Sequence, residues 1–331
     1  MENEESIVKK GCQRIEYEEQ MENEESIVKK KRVLIIKCNH SGISGDLLVG
    51  ALAELISIQK MQEFLDKIPH YITEISELSI MLHSKKDHGI SGTQLLINQF
   101  EGKKEYHFHL DSSVIKTAPS SETKSKLSLS HEPQHVHSVI TPQWIIDKLK
   151  AIAEGEKFSP GAKNYLEKCF QIIINAEASV HDISLDKIHL HEIGAVDTVI
   201  DLAGVAYGFQ ELGVFSNPNT YQVFAEPIAV GSGEVKIAHG IVPVPAPATL
   251  HILSQFGLRF IYGPESYELA TPTGVALLAG LKELNLFTQD LSHLSKCHVV
   301  QQIGTGAGTL KLKDRANILQ ILFTSSSYHF D

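Results

Sequence analysis

Hydrophobic positions change period along the chain, and the changes mark its elements. Val33-Leu34-Ile35-Ile36 is a short continuous apolar run, the pattern of a buried strand. A loop with two glycines, Ser41-Gly42-Ile43-Ser44-Gly45-Asp46, follows it, and Leu47 to Leu55 then reads as an apolar helix. Residues 90–100 and 105–110 read as strands joined by a Gly-Lys-Lys turn, with His107 and His109 alternating onto one face. Thr141-Pro142 and Ser159-Pro160 each place a capping hydroxyl before a proline at the first helical position, so each opens a helix. The second helix runs to about Val180, and Tyr165, Leu166, Cys169, Ile172, Ile173 and Ala176 form its buried stripe. Another helix leads through Leu212; its Ala203, Gly204 and Ala206 are small enough to admit a close neighbour, either a packed helix or a ligand.

Further on, residues 221–230 and Val235 to Val244 are strand-like, and Pro243, Pro245 and Pro247 force an extended course. Helices are predicted from Ala248 to Phe256 and from Thr271-Pro272-Thr273-Gly274 through Leu284. Gly304-Thr305-Gly306-Ala307-Gly308 reads as a glycine-rich turn, and Ile318 to Phe323 as the last strand. Strands and helices mix throughout, so the fold class is α/β or α+β: a mixed sheet with packed helices and a histidine-bearing mobile insert.

Residues 1–10 recur unchanged at 21–30, too short a unit to build a structural repeat. We read 1–31 as a duplicated, charge-rich flexible tail and 32–110 as an N-terminal strand–loop–helix region. Residues 111–140, rich in Ser, Lys and Thr and carrying His131, His135 and His137, read as the mobile insert. The main domain is expected at 141–323, with 324–331 as a tail.

Composition narrows the function classes. A formal net charge of −10 argues against a protein that coats nucleic acid. No apolar run approaches the roughly eighteen residues of a membrane span, and the acidic start is unlike a signal peptide. Four scattered cysteines without a C-x-x-C pair suit a reducing compartment, so the expected location is cytoplasmic. Histidine is the unusual count: of 17, ten lie between His83 and His191. Imidazole suits nickel, copper and zinc, so the insert histidines are either a labile metal reservoir or simply part of a polar loop.

The densest chemistry is His189-Leu190-His191-Glu192, running into Gly194-Ala195-Val196-Asp197 and then Asp201. His189 and His191 share a face if extended, and Asp197 and Asp201 share a face if helical. Two like charges one turn apart repel unless a cation or water intervenes. Two readings fit: a metal or acid–base site at a strand-to-helix junction, or acids that simply favour a helix N-terminus. The Ser41–Asp46 loop is either an anion cradle at a helix start or a tight turn that needs glycine; it is neither a Walker A loop nor G-x-G-x-x-G. Thr271 and Thr273 offer hydroxyls either to a phosphate or to helix capping alone. His239, taken singly, suits a structural role as well as a chemical one. No nucleophile elbow occurs, nor an aromatic and basic strip for single-stranded nucleic acid.

Several blocks taken together resemble one family. They are Ser41–Asp46, His189–Asp197 with Asp201, Gly231-Ser232-Gly233 with Ala238-His239-Gly240, Pro243–Thr249, Thr271–Gly274 and Ile303–Gly308. In order and spacing this is similar to the LarC family, the nickel insertion proteins of nickel-pincer nucleotide biosynthesis, over about residues 32–323. The resemblance implies an enzyme, a nickel chelatase of the lyase class. It would insert Ni(II) into pyridinium-3,5-bisthiocarboxylic acid mononucleotide with CTP and Mg or Mn, forming Ni–S and Ni–C bonds in the cofactor of lactate racemase-type enzymes.

On this resemblance Glu192, Asp197 and His239 are the candidate acid–base residues. Gly42, Ser44, Gly45, Asp46, Thr271 and Thr273 are candidates for binding the nucleotide, and His189, His191 and Asp201 for the metal. Two departures stand out. Lys37 occupies the region where the family carries an aspartate, which would either weaken a cation site or pair with a phosphate. The family's CTP-associated C-terminal domain does not follow Phe323, so a separate partner polypeptide is expected to supply it; homo-oligomer formation is open. The competing readings are a nickel-binding or storage protein without catalysis, and a divalent-metal-dependent phosphohydrolase built on Glu192, Asp197 and Asp201.

Overall fold

In the computed structural model the described residues are 31–75, 77–101, 104–106, 141–185, 195–216, 221–237, 240–263, 265–290, 292 and 299–326. The apolar run near the start forms β1 (Lys31–Lys37). It lies inside an eight-stranded mixed sheet, parallel to β5 (Tyr221–Ala225) on one side and antiparallel to β12 (Ile318–Ser326) on the other. Beyond β5 lies β10 (Phe287–Thr288). Beyond β12 come β11 (Val299–Ala307), β3 (Ile90–Glu101) and β2 (Glu77–Asp87), with β4 (Lys104–Tyr106) paired to β3. Strands from both halves of the chain therefore close one sheet.

Register and period two explain why the centre of β1, Val33 to Ile36, is apolar. Leu34 and Ile36 stand opposite Phe323 and Ile321, and Leu34, Ile36 and Ile321 are fully buried. Val33, on the opposite face, is buried as well. Helix α1 (Gly45–Ile56) packs across β11, β3 and β12. Its fully buried Leu48 and Leu52 each contribute about 1.5–3 kcal/mol by leaving water.

The remaining helices form a second layer: α2 (Ile58–Leu65), α3 (Pro142–Gly155), α4 (Pro160–His181), α5 (Ala195–Leu212), α6 (Pro247–Gln255) and α7 (Pro272–Glu283). The expected caps form: Thr141 accepts from the Trp144 N–H at 3.2 Å and Ser159 from the Ala162 N–H at 3.2 Å. Among the described residues no helix is long and apolar enough to cross a membrane.

The glycine-rich stretch near residue 304 corrects the sequence reading. It is not a turn but the second half of β11, paired with β12 from Gly304↔Ile321 to Ala307↔Ile318. Glycine recurs there because α1 lies against the strand. A methyl on Gly304 would overlap the Ala51 carbonyl, and one on Gly306 the Leu47 carbonyl. The chain from 221 to 230 is likewise not one strand, since Glu226 and Pro227 interrupt it before β6 (Ile228–Ala229). The hairpin β7 (Glu234–Ile237) and β8 (Gly240–Pro243) matches the extended reading, and β6 pairs in parallel with β9 (Phe260–Ile261).

Candidate functional site

Three helices begin at one place, beyond the carboxyl end of β1. The connecting loop leaves Cys38 and enters α1 at Gly45. The Ile43 N–H donates to the Leu269 carbonyl at 2.9 Å, and the Thr271 N–H donates to the Ile43 carbonyl at 3.0 Å. That exchange pins the start of α7 beside the start of α1. Gly42 has φ +78°, and a side chain there would run into the Leu269 carbonyl, so both turn and close approach require glycine. The start of α5 completes the convergence. A methyl on Gly45 would overlap the carboxylate of Asp201, so this glycine lets α5 lay its acid against the first turn of α1. Further along, Gly204 faces Val49, and helix packing accounts for that small residue.

The junction gathers three carboxylates. Asp46 stands in the first turn of α1, Asp197 in the first turn of α5, and Asp201 one turn on. Ser44, the residue before α1, donates its hydroxyl to Asp46 Oδ1. Burial pushes the Asp197 carboxyl up to about 7, and the charge of Asp46 adds to the effect. Asp201 is driven well above the usual carboxylate range, by burial first and then by Asp46 and Asp197. The Oδ1 atoms of Asp197 and Asp201 are buried with no hydrogen-bond partner among the described residues. Helix N-termini favour negative charge, yet here burial and mutual repulsion win. Burial and like charge thus favour the protonated form at both positions. Among the described residues no group of three or more His, Cys, Asp and Glu side chains could hold a metal ion.

Thr271 caps α7, its hydroxyl oxygen accepting from the Gly274 N–H at 3.1 Å, and Thr273 is buried in the first turn. The structure thus brings Gly42, Ser44, Gly45, Asp46, Asp197, Asp201, Thr271 and Thr273 into one neighbourhood. His189, His191, Glu192 and His239 lie outside the described residues.

Two charged pairs beside the loop escape sequence reading, because their partners are remote in the chain. Lys37 Nζ lies 3.3 Å from Glu226 Oε1, so the lysine where the family carries an acid is matched by a carboxylate from the end of β5. Arg315 reaches the loop from the segment before β12. Its Nη1 donates to the His40 carbonyl at 3.2 Å, and its Nε lies 3.5 Å from Glu265 Oε1. The only sequence signal is the alternation of Lys311, Lys313 and Arg315, which spacing alone does not tie to a site.

The family model described as nickel insertion protein matches residues 34–330. A protein of Desulfitobacterium hafniense named pyridinium-3,5-bisthiocarboxylic acid mononucleotide nickel insertion protein is 31% identical over 273 residues, 82% of this chain and 54% of the relative. One of the same name from Geobacillus kaustophilus is 29% identical over 292 residues, 88% of this chain and 59% of the relative. The chain therefore spans a little over half the length of these curated relatives. No solved structure matches.

Proposed function

The chain belongs to the nickel insertion protein family, and on that premise we propose that it takes part in inserting Ni(II) into pyridinium-3,5-bisthiocarboxylic acid mononucleotide. The observation that carries the reading is the family match, and the acid cluster supports it by offering a candidate proton acceptor. Nickel is cargo here. In the product two thiocarboxylate sulfurs and one ring carbon bind the metal. Making the Ni–C bond breaks a ring C–H bond: its electron pair goes to nickel and its proton must go to a base. A carboxylate with pKa about 7 is matched to that task near neutral pH, so Asp197 is assigned as the base.

In this reading Asp201, with His189 and His191 just ahead of α5 in the chain, receives the cargo. Sulfur and imidazole donors suit a tetragonal Ni(II) site. Glu192 and His239 are further acid–base groups. The Gly42–Asp46 loop and Thr271–Thr273 border the substrate.

CTP and its Mg or Mn find no fitting residues among those described in this chain. The loop lacks a P-loop lysine, and no described group of acids could hold the ion. The reading leaves CTP to the part of the relatives' length that this sequence does not match, on the same or another polypeptide, and classes the step as a lyase-type chelation. Cys38 and Cys169 are buried free thiols, which supports a cytoplasmic setting.

The test is reconstitution. Purified chain, with a polypeptide corresponding to the relatives' remaining half, receives Ni(II), CTP, Mg and the bisthiocarboxylate mononucleotide. Nickel-bearing product, read by mass spectrometry, is expected, and Asp197→Asn should abolish most of it. Failure of the wild-type chain to bind either Ni(II) or the precursor, with the partner present, ends the proposal.

A further inference from the structure

The segment from Lys37 to Asp46 has acidic side chains at one end and basic ones at the other. At the α1 end stand Asp46, Asp197 and Asp201. A helix start is the usual seat for a phosphate, but this one already faces the protein's own acids, which would repel a dianion. The other end carries two basic side chains, Arg315 at His40 and Lys37 nearby, each with one carboxylate beside it, Glu265 and Glu226. The His40 imidazole is held below its usual range by burial first and then by the charges of Arg315 and Lys37.

The Arg315 guanidinium is incompletely used. Its Nε–H is buried and makes no hydrogen bond among the described residues, although Glu265 lies 3.5 Å away as an ion-pair partner. A buried donor left unpaired is unfavourable, and guanidinium offers paired N–H groups that match two phosphate oxygens. The loop that carries it is fixed in place. Ser41 donates its hydroxyl to the Ala316 carbonyl at 2.9 Å and accepts from the Ile318 N–H at 3.3 Å, so Arg315 and the Ser41–Asp46 loop share one frame. Arg315 touches His40, and Asp46 lies six residues further on, so the two ends are at most about 20 Å apart even along an extended chain.

We infer that Arg315 holds the phosphate of the pyridinium mononucleotide, with the ring end directed to the acid cluster, and that Glu265 occupies the guanidinium until the phosphate arrives. The assignment rests on the functional reading above for the identity of the substrate, but not for the presence of an anion site.

The test uses the full chain with nicotinic acid mononucleotide as the probe, the phosphate-free nicotinic acid riboside as control, and calorimetry as readout. Arg315→Gln should weaken mononucleotide binding by about ten- to a hundredfold, the loss of a charge-assisted bond, and leave riboside binding unchanged. Arg315→Lys should restore only part, since it keeps the charge and loses the fork. Glu265→Gln should tighten mononucleotide binding, a sign that a merely structural Arg315–Glu265 pair would not give. No mononucleotide binding by the wild type, unchanged binding in Arg315→Gln, or equal loss of mononucleotide and riboside overturns the assignment. If Arg315→Gln does not fold, Glu265→Gln decides: binding unchanged or weaker overturns it. Mononucleotide binding with the expected pattern but no nickel insertion on reconstitution leaves the phosphate site standing and removes the functional reading.

Discussion

Replacing Asp197 with asparagine should make the protein less sensitive to rising pH, and the size follows from the site. Folding moves this carboxyl from its ordinary value of 3.8 to about 7, because burial and the charge of Asp46 penalise the ionised form. The folded state therefore binds more protons than the unfolded state between those values. Stability contributed by the protonated carboxyl is complete below about pH 4, declines through pH 4–7 and is gone above 7. At 1.36 kcal/mol for each pKa unit the full decline is roughly 4 kcal/mol. Coupling to Asp46 and Asp201 is shared among the three, so about 2–4 kcal/mol is the expected difference. The asparagine side chain cannot ionise and also relieves Asp201 of a like charge. Wild type and Asp197→Asn should have similar stability near pH 4, and the variant should be more stable by that amount near pH 8. Urea unfolding at about pH 4.5, 6 and 7.5, with the slope checked for constancy, measures it. Parallel stability–pH curves for the two proteins would refute the claim that Asp197 is buried beside Asp46 with a raised pKa.

The fold and its buried groups give three further expectations. Gly306→Ala drives a methyl into the Leu47 carbonyl and must separate α1 from β11; a loss of about 2–4 kcal/mol in urea unfolding is expected, as for other overpacked sites, and a loss below about 0.5 kcal/mol counts against the packing described. Cys38 and Cys169 are buried, and burial raises both thiols far above their ordinary range, so iodoacetamide should leave both unmodified in the folded chain and label both in urea, as read by peptide mass spectrometry. Tyr165→Phe removes a fully buried hydroxyl that donates to the Leu277 carbonyl at 2.8 Å; a cost of about 1–2 kcal/mol is expected from thermal unfolding, with no change in Ni(II) binding.

Local signals carry most of the helices, though not α2 (Ile58–Leu65), and several of the core strands. The Thr141-Pro142, Ser159-Pro160 and Thr271-Pro272 starts are legible because a cap and a proline act within one turn, and β1 because its centre, Val33 to Ile36, is a continuous apolar run. The β2 strand is hard to see in the sequence for the opposite reason. As a sheet edge it carries His83, Ser84, Lys85 and Lys86 and buries little beyond Ile80 and Asp87, so no clean alternation survives. The glycines of β11 mislead because composition favours a turn, whereas their cause is the backbone of α1, a helix remote in the chain. At the site, spacing makes Asp197 and Asp201 neighbours. It cannot show that Asp46 from another helix stands against them, nor that Gly45 is there to admit Asp201. The Arg315 contact is beyond reach because His40 and Arg315 meet only through the fold.

The charge reversal at position 37 illustrates how far such an effect travels. An exposed pair like Lys37–Glu226 is worth at most about 1 kcal/mol in water. It neutralises Lys37 locally, on the strand side of the loop, with Cys38 and Ser41 between it and α1. Asp46 feels Ser44, Asp197 and Asp201 instead. The lysine therefore need not dismantle the acid cluster. With Glu226 beside it, Lys37 leaves the strand side of the loop close to neutral. A chain that holds three carboxylates together, two of them buried, gives up stability at neutral pH that simple packing would have kept. Such a cost is consistent with the proposed roles of these carboxylates in accepting a proton and attracting a cation.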